Sequence, residues 1–277
     1  MHARGMTWLI TGTSSGFGRI LTEKLLARGE RVAATLRKMD ALDDLRARYG
    51  DLLWTARLDL TDTAAIRSTV DRAFAELGRI DVVCSNAGYG LFGAAEALRD
   101  DQIEHVIATN LVGSMQLVRA VLPHLRRQGG GRILQVSSAG GQATYPNFSV
   151  YHATKWGIEG FVETVAKEVE ALGIDVTLGE PGAPQTDFAK NLVMVPAMPE
   201  YDRTAAGEVR RALESGAWQI RGDAGKMCDA ILGFVDRGAK ARRLALGADT
   251  YADVARTLEE RRAELESQKE IANACVS

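Results

Sequence analysis

Tyr151 and Lys155 stand four residues apart in Tyr151-His152-Ala153-Thr154-Lys155, at the start of a long stretch with helical periodicity. On a helix that spacing sets both side chains on one face, about one turn apart. An ammonium so close to a phenol favours the phenolate, which is the property a proton-transfer group needs. Thirteen residues before Tyr151 comes Ser138, in Val136-Ser137-Ser138-Ala139-Gly140-Gly141, where a strand-like run ends. A bare Tyr-x-x-x-Lys is common and usually a solvent-facing pair. One that follows a strand ending in Ser-Ser, downstream of a nucleotide-type turn, is far rarer. Ser137 is an alternative hydroxyl, but the interval to Tyr151 favours Ser138. His152 belongs to the residue type that titrates near neutrality, yet one position past Tyr151 it points to another face and reads as a bystander.

The nucleotide-type turn is Thr11-Gly12-Thr13-Ser14-Ser15-Gly16-Phe17-Gly18, between the first strand-like run and the first helical one. Glycines there let the backbone turn sharply and approach a pyrophosphate, which the free N–H groups of a helix start can hold. Its spacing is G-x-x-x-G-x-G rather than the G-x-G-x-x-G of the common dinucleotide fingerprint. The next strand-like run ends Ala34-Thr35-Leu36-Arg37-Lys38, with no carboxylate until Asp40. An acid at that point would bind a ribose 2′-hydroxyl, whereas Arg37 offers a planar fork of donors to a 2′-phosphate. The alternative is that Arg37 and Lys38 are solvated residues ahead of a helix. The expectation is NADP(H) in preference to NAD(H).

These groups need a scaffold, and the chain supplies one. Apolar runs at 7–11, 31–35, 52–59, 80–85, 132–136 and 174–178 alternate with helical stretches at 17–28, 41–49, 63–77, 101–127 and 150–172. Strand and helix in alternation predict an α/β fold, a doubly wound parallel β-sheet of Rossmann type with helices on both faces. After Pro181-Gly182-Ala183-Pro184 the rhythm changes. The stretch 185–217 shows no strand, 223–236 reads as a helix, 243–246 as a last strand and 248–270 as a charged helix, taken first as a solvated tail. No repeat or linker divides the 277 residues, so one domain with a cap near 184–222 is expected.

Composition excludes several classes. Thirty-four basic residues against 36 acidic ones, without a block of like charge, do not predict a nucleic-acid face. Cys84, Cys228 and Cys275 are odd in number and far apart, which argues for a reducing compartment. His2, His105, His124 and His152 lack metal-ligand spacing, so no metal is expected. No apolar run approaches the roughly 20 residues of a membrane helix, and the expected location is the cytoplasm.

Taken together, the motifs resemble the short-chain dehydrogenase/reductase family from about Thr7 to Thr186: the T-G-x-x-x-G-x-G turn, Asp59, Asn86-Ala87-Gly88, Asn110, Ser138, Tyr151, Lys155, Pro181-Gly182 and Thr186. The resemblance implies that Tyr151 passes a proton to or from the substrate oxygen as hydride moves at the nicotinamide. A free Tyr, with a pKa near about 10, is poorly matched to that work, and Lys155 is suited to correct it. Lys155 would also bind the nicotinamide ribose, Ser138 would polarise the carbonyl, and Asn110 would hold a water linking Lys155 to solvent. The turn residues Gly12 to Gly18 would hold the pyrophosphate. Asp59 and Leu60 would lie at the adenine, Asn86, Ala87 and Gly88 at the adenosine side, and Pro181, Gly182 and Thr186 at the carboxamide. Blander roles stay open: Asn110 could cap or kink its helix, and Asp59 could cap the helix beginning near Thr61.

Two departures from the family pattern stand out. Gly179 falls where a bulky aliphatic residue is usual and predicts a bulge or close approach, and Pro184 stiffens the turn leading to Thr186. On the substrate side, Tyr89, Phe92, Tyr145, Phe148, Phe188, Met194 and Met198 are apolar or aromatic, and Gln142, Tyr145, Phe148, Pro184 and Phe188 are the expected substrate contacts beside Ser138 and Tyr151. Several of them could be core packing instead. The expected activity is that of a carbonyl reductase or alcohol dehydrogenase acting on a hydrophobic ketone, aldehyde or secondary alcohol. The competing reading is a non-catalytic NADP(H) sensor acting through a protein partner. The resemblance also implies a homo-oligomer, dimer or tetramer, built on the two long helices.

Overall fold

The computed structural model describes residues 5–183, 192–218 and 222–276. Its strands are β1 (Thr7–Thr11), β2 (Arg31–Leu36), β3 (Leu53–Arg57), β4 (Val82–Ser85), β5 (Leu91–Phe92), β6 (Gly131–Val136), β7 (Ile174–Pro181), β8 (Val193–Met194) and β9 (Arg243–Leu246). Its helices are α1 (Gly16–Ala27), α2 (Asp43–Tyr49), α3 (Thr63–Leu77), α4 (Asp100–Ile107), α5 (Ser114–Arg127), α6 (Ser149–Val169), α7 (Ala205–Glu214), α8 (Ala224–Asp236), α9 (Ala248–Ser267) and α10 (Lys269–Ala274).

Seven strands pair in parallel in the order β3-β2-β1-β4-β6-β7-β9. Side chains that alternate along each strand feed two separate layers. Leu9, Ala33, Val83 and Ile133 pack with Ile66 and Val70 of α3, Val118 and Val121 of α5, and Ile158 and Val162 of α6. Trp8, Ile10, Val32, Ala34, Val82 and Leu134 pack on the other face with Leu21 and Leu25 of α1 and Ile231 and Leu232 of α8. Because both faces are covered, these strands read as unbroken apolar runs rather than as alternating ones. The chain runs outward from β1 to β3 and then restarts at β4 on the other side of β1. That reversal opens a crevice at the carboxyl ends of the strands, where α/β sheets bind ligands.

The structure corrects the sequence reading in three places. The single helix expected over 101–127 is two helices joined by a π-helical turn at Ala108–Gly113, which widens the helix where Asn110 turns inward. Among the described residues this combined helix, Asp100–Arg127, is the one long and apolar enough to cross a membrane. Here its Val106, Leu117, Val121 and Leu125 are buried within the protein. The stretch 185–217 does contain a strand, since β8 pairs in parallel with β5, and α7 follows it. A two-residue strand is too short for any alternation to register. Gly179 makes no bulge: β7 runs straight through it, pairing Gly179 with Val136 on one side and Leu244 on the other. A β-carbon there would meet Leu134 at 3.7 Å, an ordinary contact.

Candidate active site

The end of the crevice where the cofactor is expected is made of close backbone approaches. Gly12 has φ +72°, and a β-carbon on it would lie 2.8 Å from Cα of Ala87. One on Gly18 would overlap the Gly12 carbonyl and reach 2.6 Å from Nδ2 of Asn86. Asn86 fastens the turn, its Nδ2 donating to the carbonyls of Thr11 (2.9 Å) and Gly12 (3.2 Å). The Thr11 hydroxyl accepts from the N–H groups of Asn86 and Ala87, at 3.0 and 3.1 Å. Ser15 is the N-cap of α1 but its side chain caps nothing, and the first turn carries no acid. The amides of that helix start are therefore left for an anion. Thr13 is buried with its hydroxyl on the Thr35 carbonyl (3.3 Å), and Phe17 packs against the α1–α8 layer, so these two offer backbone only.

Arg37 is exposed at the end of β2 and makes no hydrogen bond or ion pair among the described residues. Asp59 sits across from it. Its Oδ1 accepts from the Thr61 N–H (3.0 Å) and hydroxyl (2.9 Å), and these bonds, with Arg37 and His105 nearby, hold its carboxyl below the usual range. The cap of α3 is Asp62, which accepts from the Ala65 N–H at 2.9 Å, so Asp59 does not cap that helix. Leu60 is buried beside it. Tyr89, expected at the substrate mouth, bonds through its hydroxyl to Nδ1 of His105 (2.7 Å), and the charge of Arg37 also reaches it. These contacts put it on the same side of the crevice as Arg37 and Asp59.

The catalytic candidates meet where β6 ends and α6 begins. Ser138 Oγ accepts from the Gly140 N–H at 3.0 Å and is hydrogen-bonded with Tyr151. Ser137 turns the other way and donates to Glu159 Oε1 at 2.5 Å. The geometry thus separates the two serines and puts Ser138 at Tyr151. Lys155 Nζ lies 5.6 Å from the Tyr151 ring centroid and donates to the Val136 carbonyl at 3.1 Å. Burial pushes the Tyr151 hydroxyl up to about 12, against the hydrogen bond from Ser138. Burial likewise lowers Lys155 to about 8, with Glu159 opposing. In the free protein desolvation therefore outweighs the lowering that Lys155 is expected to exert on Tyr151.

Asn110 is buried and fully engaged. Its Oδ1 accepts from the Tyr89 N–H (3.0 Å), and its Nδ2 donates to the Tyr89 carbonyl (2.8 Å) and the Thr154 hydroxyl (3.4 Å). It pins the loop after β4 to α6, and this structural duty explains the π turn. His152 is wedged among Tyr145, Phe148 and Tyr151, with burial lowering its imidazole to about 4. It is neutral at neutral pH.

Of the expected substrate contacts, Phe148 packs edge-on to Phe92 and Tyr151. Phe92 itself is completely buried and is core, not pocket lining. Gln142 Nε2 donates to Glu180 Oε2 (2.7 Å), and Tyr145 donates to Asp253 Oδ2 of α9 (2.7 Å). Pro184, Thr186 and Phe188 lie outside the described residues. Pro181 ends β7, and a β-carbon on the adjacent Gly182 would overlap the Asp249 carboxylate.

Helix α9 as far as Arg261 is not a solvated tail, although residues 262–267 and α10 are exposed as a tail would be. Besides Asp253, its Asp249 accepts from the Ala183 N–H (3.0 Å), and its Arg261 donates to the Gln142 carbonyl and lies 4.3 Å from the Trp156 ring centroid. Together with Trp218, edge-on to Tyr145, these residues pack against the expected substrate contacts Gln142 and Tyr145, a docking that the sequence reading missed. The one available signal was the presence of fixed charges (Asp249, Asp253, Arg261) on a helix otherwise poor in apolar residues.

A family model described as short chain dehydrogenase matches residues 6–195. Oxidoreductase BOA17 of Botryotinia fuckeliana is 35% identical over 243 residues, 87% of this chain and 89% of its own length. The crystal structure of a short-chain dehydrogenase from Streptomyces avermitilis superposes with a TM-score of 0.91 at 36% identity, covering all of both chains. A Burkholderia phymatum short-chain dehydrogenase/reductase in complex with NAD shares the fold, with a TM-score of 0.80 at 22% identity over 97% of this chain and 96% of its own.

Proposed function

We propose, from the premise that this chain belongs to the short-chain dehydrogenase family, that it is an NADP(H)-dependent oxidoreductase interconverting hydrophobic ketones or aldehydes with their alcohols. The observation that carries the reaction is the meeting of Ser138, Tyr151 and Lys155 at the carboxyl edge of the sheet. The glycine turn, with its close approaches and uncapped helix start, fits a pyrophosphate. Arg37, exposed and without a hydrogen bond or ion pair among the described residues, fits a 2′-phosphate on the adenosine ribose.

Bound nicotinamide supplies or accepts the hydride; the chain manages the proton. Tyr151, protonated up to about 12, carries in the direction of reduction the proton that the substrate oxygen takes up. The Ser138 hydroxyl, already bonded with Tyr151, holds that oxygen in line. Lys155 places positive charge behind the phenol as it gives up its proton. The aromatic wall of Tyr145, Phe148, His152 and Trp218 supports a hydrophobic substrate. The same reading includes a homo-oligomer formed over α6 and the turn before α5, where Trp156 and Val112 are each 41% exposed.

The test is oxidation of NADPH and of NADH, followed by absorbance, over a panel of hydrophobic ketones and aldehydes. The expected result is turnover with NADPH preferred by about tenfold or more, worth about 1.4 kcal/mol, with that preference abolished in Arg37→Ala. NADPH binding with no turnover of any carbonyl would move the reading to the non-catalytic sensor.

A further inference from the structure

Two carboxylates are buried beneath the serine loop, Glu159 of α6 at 2% and Glu180 of β7 at 1% exposure. Carboxylates taken out of water are costly unless paired and hydrogen-bonded, and well-packed apolar residues would often serve stability as well. Here one guanidinium joins them: Arg243 Nη1, from β9, donates to Glu159 Oε2 and to Glu180 Oε1 (2.5 Å), and its Nε donates to Glu163 Oε1 (3.1 Å). Burial and the nearby Glu159 push the Glu180 carboxyl up, with Arg243 and Gln142 opposing. The remaining oxygens go to the loop that carries Ser138. Ser137 donates to Glu159 Oε1 at 2.5 Å, and Gln142 donates to Glu180 Oε2 at 2.7 Å. These two anchors bracket Ser138. Between them the backbone lies directly on the carboxylate, since a β-carbon on Gly141 would overlap Glu159 Oε1. Glu159 is also four residues beyond Lys155 on the same helix face.

We propose that Glu159, clamped by Arg243 and paired through it with Glu180, is a positioning residue that fixes the 137–142 loop and so holds the Ser138 hydroxyl at Tyr151. Its effect on turnover rests on the reductase reading above; its effect on the loop does not. Arg243 reaches Glu159 across 84 residues of sequence and Glu180 across 63, so the last strand sets the geometry of a loop built far upstream.

The experiment compares the full-length wild type with Glu159→Gln and with the apolar triple Glu159→Met/Glu180→Met/Arg243→Met, which leaves no buried carboxylate unpaired. It reads kcat, KM for NADPH, thermal stability, and hydrogen exchange of the 137–142 segment by mass spectrometry. Glu159→Gln is expected to lower kcat by about 10- to 100-fold with KM for NADPH unchanged, and to accelerate exchange in 137–142 while 12–18 keeps its protection. The apolar triple is expected to recover stability but not kcat. Two results would overturn the proposal: unchanged loop exchange and kcat in Glu159→Gln, or recovery of kcat together with stability in the apolar triple. Should the wild type reduce no carbonyl at all, the reductase reading fails. The loop's dependence on Glu159 would then still be decided by the exchange data.

Discussion

The two ends of the ligand crevice are built by different means. At the β1–β4 end the walls are backbone: Gly12 against Ala87, Gly18 against the Gly12 carbonyl, and Asn86 stitched to the turn. At the β6–β7–β9 end they are side chains joined across long stretches of sequence. Tyr145 meets Asp253 at a separation of 108 residues, Arg261 meets the Gln142 carbonyl at 119, and Arg243 meets Glu159 at 84. The first construction has no room for one extra carbon. The second has its tolerance set by charge and hydrogen bonding, so shape-preserving substitutions should be survivable there. The proposed function assigns the cofactor to the rigid end and the substrate to the end assembled from distant pairs.

Substitutions can break or sharpen that contrast. Gly18→Val should have the largest effect, because its side chain would drive into the Gly12 carbonyl and Asn86. Overpacking of about 1–3 kcal/mol or more is expected to abolish NADPH binding by fluorescence titration and to lower the melting temperature. Arg37→Ala removes one charged donor set without disturbing packing. NADPH affinity should fall by about 10- to 100-fold, the equivalent of about 1.5–3 kcal/mol for a hydrogen bond to a charged group, while NADH affinity stays as it was. The contrast weakens if both cofactors lose affinity equally.

A milder change should come from pH. Lys155, lowered by burial to about 8, is charged below that value and neutral above it. Since kcat/KM reports ionisations of the free enzyme, kcat/KM for NADPH should fall as pH rises through about 8. His152, lowered to about 4, should add no inflection near neutrality, and His152→Phe should leave the profile in place. The smallest effect belongs to the wall. Asp253→Asn keeps the shape of the Tyr145 contact and removes its charge. A net loss of about 1 kcal/mol should appear as a several-fold rise in carbonyl KM, with NADPH KM unaffected.

The same contrast explains what could be read before the structure. Period and turn chemistry are local, so the seven strands of the large sheet, the helix starts and the Gly12–Gly18 turn were legible, while the two-residue β5 and β8 were not; α3 begins and ends where the pattern puts it, at Thr63 and Leu77. Ser138, Tyr151 and Lys155 were legible too, because a strand end and one helix turn fix their relation. The π turn at Asn110 was not, because it follows from the bonds Asn110 makes to Tyr89, which no local pattern encodes. Nor was the docking of α9. The charges on Asp249, Asp253 and Arg261 suggest solvent until the partners Ala183, Tyr145 and Gln142 are in place. Phe92 looked like pocket lining because hydrophobicity alone does not separate a lining residue from a core one.

The central claim is that Tyr151 moves the proton while the glycine turn independently holds the cofactor. It is tested most directly by measuring NADPH binding and carbonyl reduction side by side in wild type and Tyr151→Phe. Binding should be unchanged and kcat should fall by about 100- to 10,000-fold, the range for loss of a general acid. Undiminished reduction by the phenylalanine variant would contradict the account.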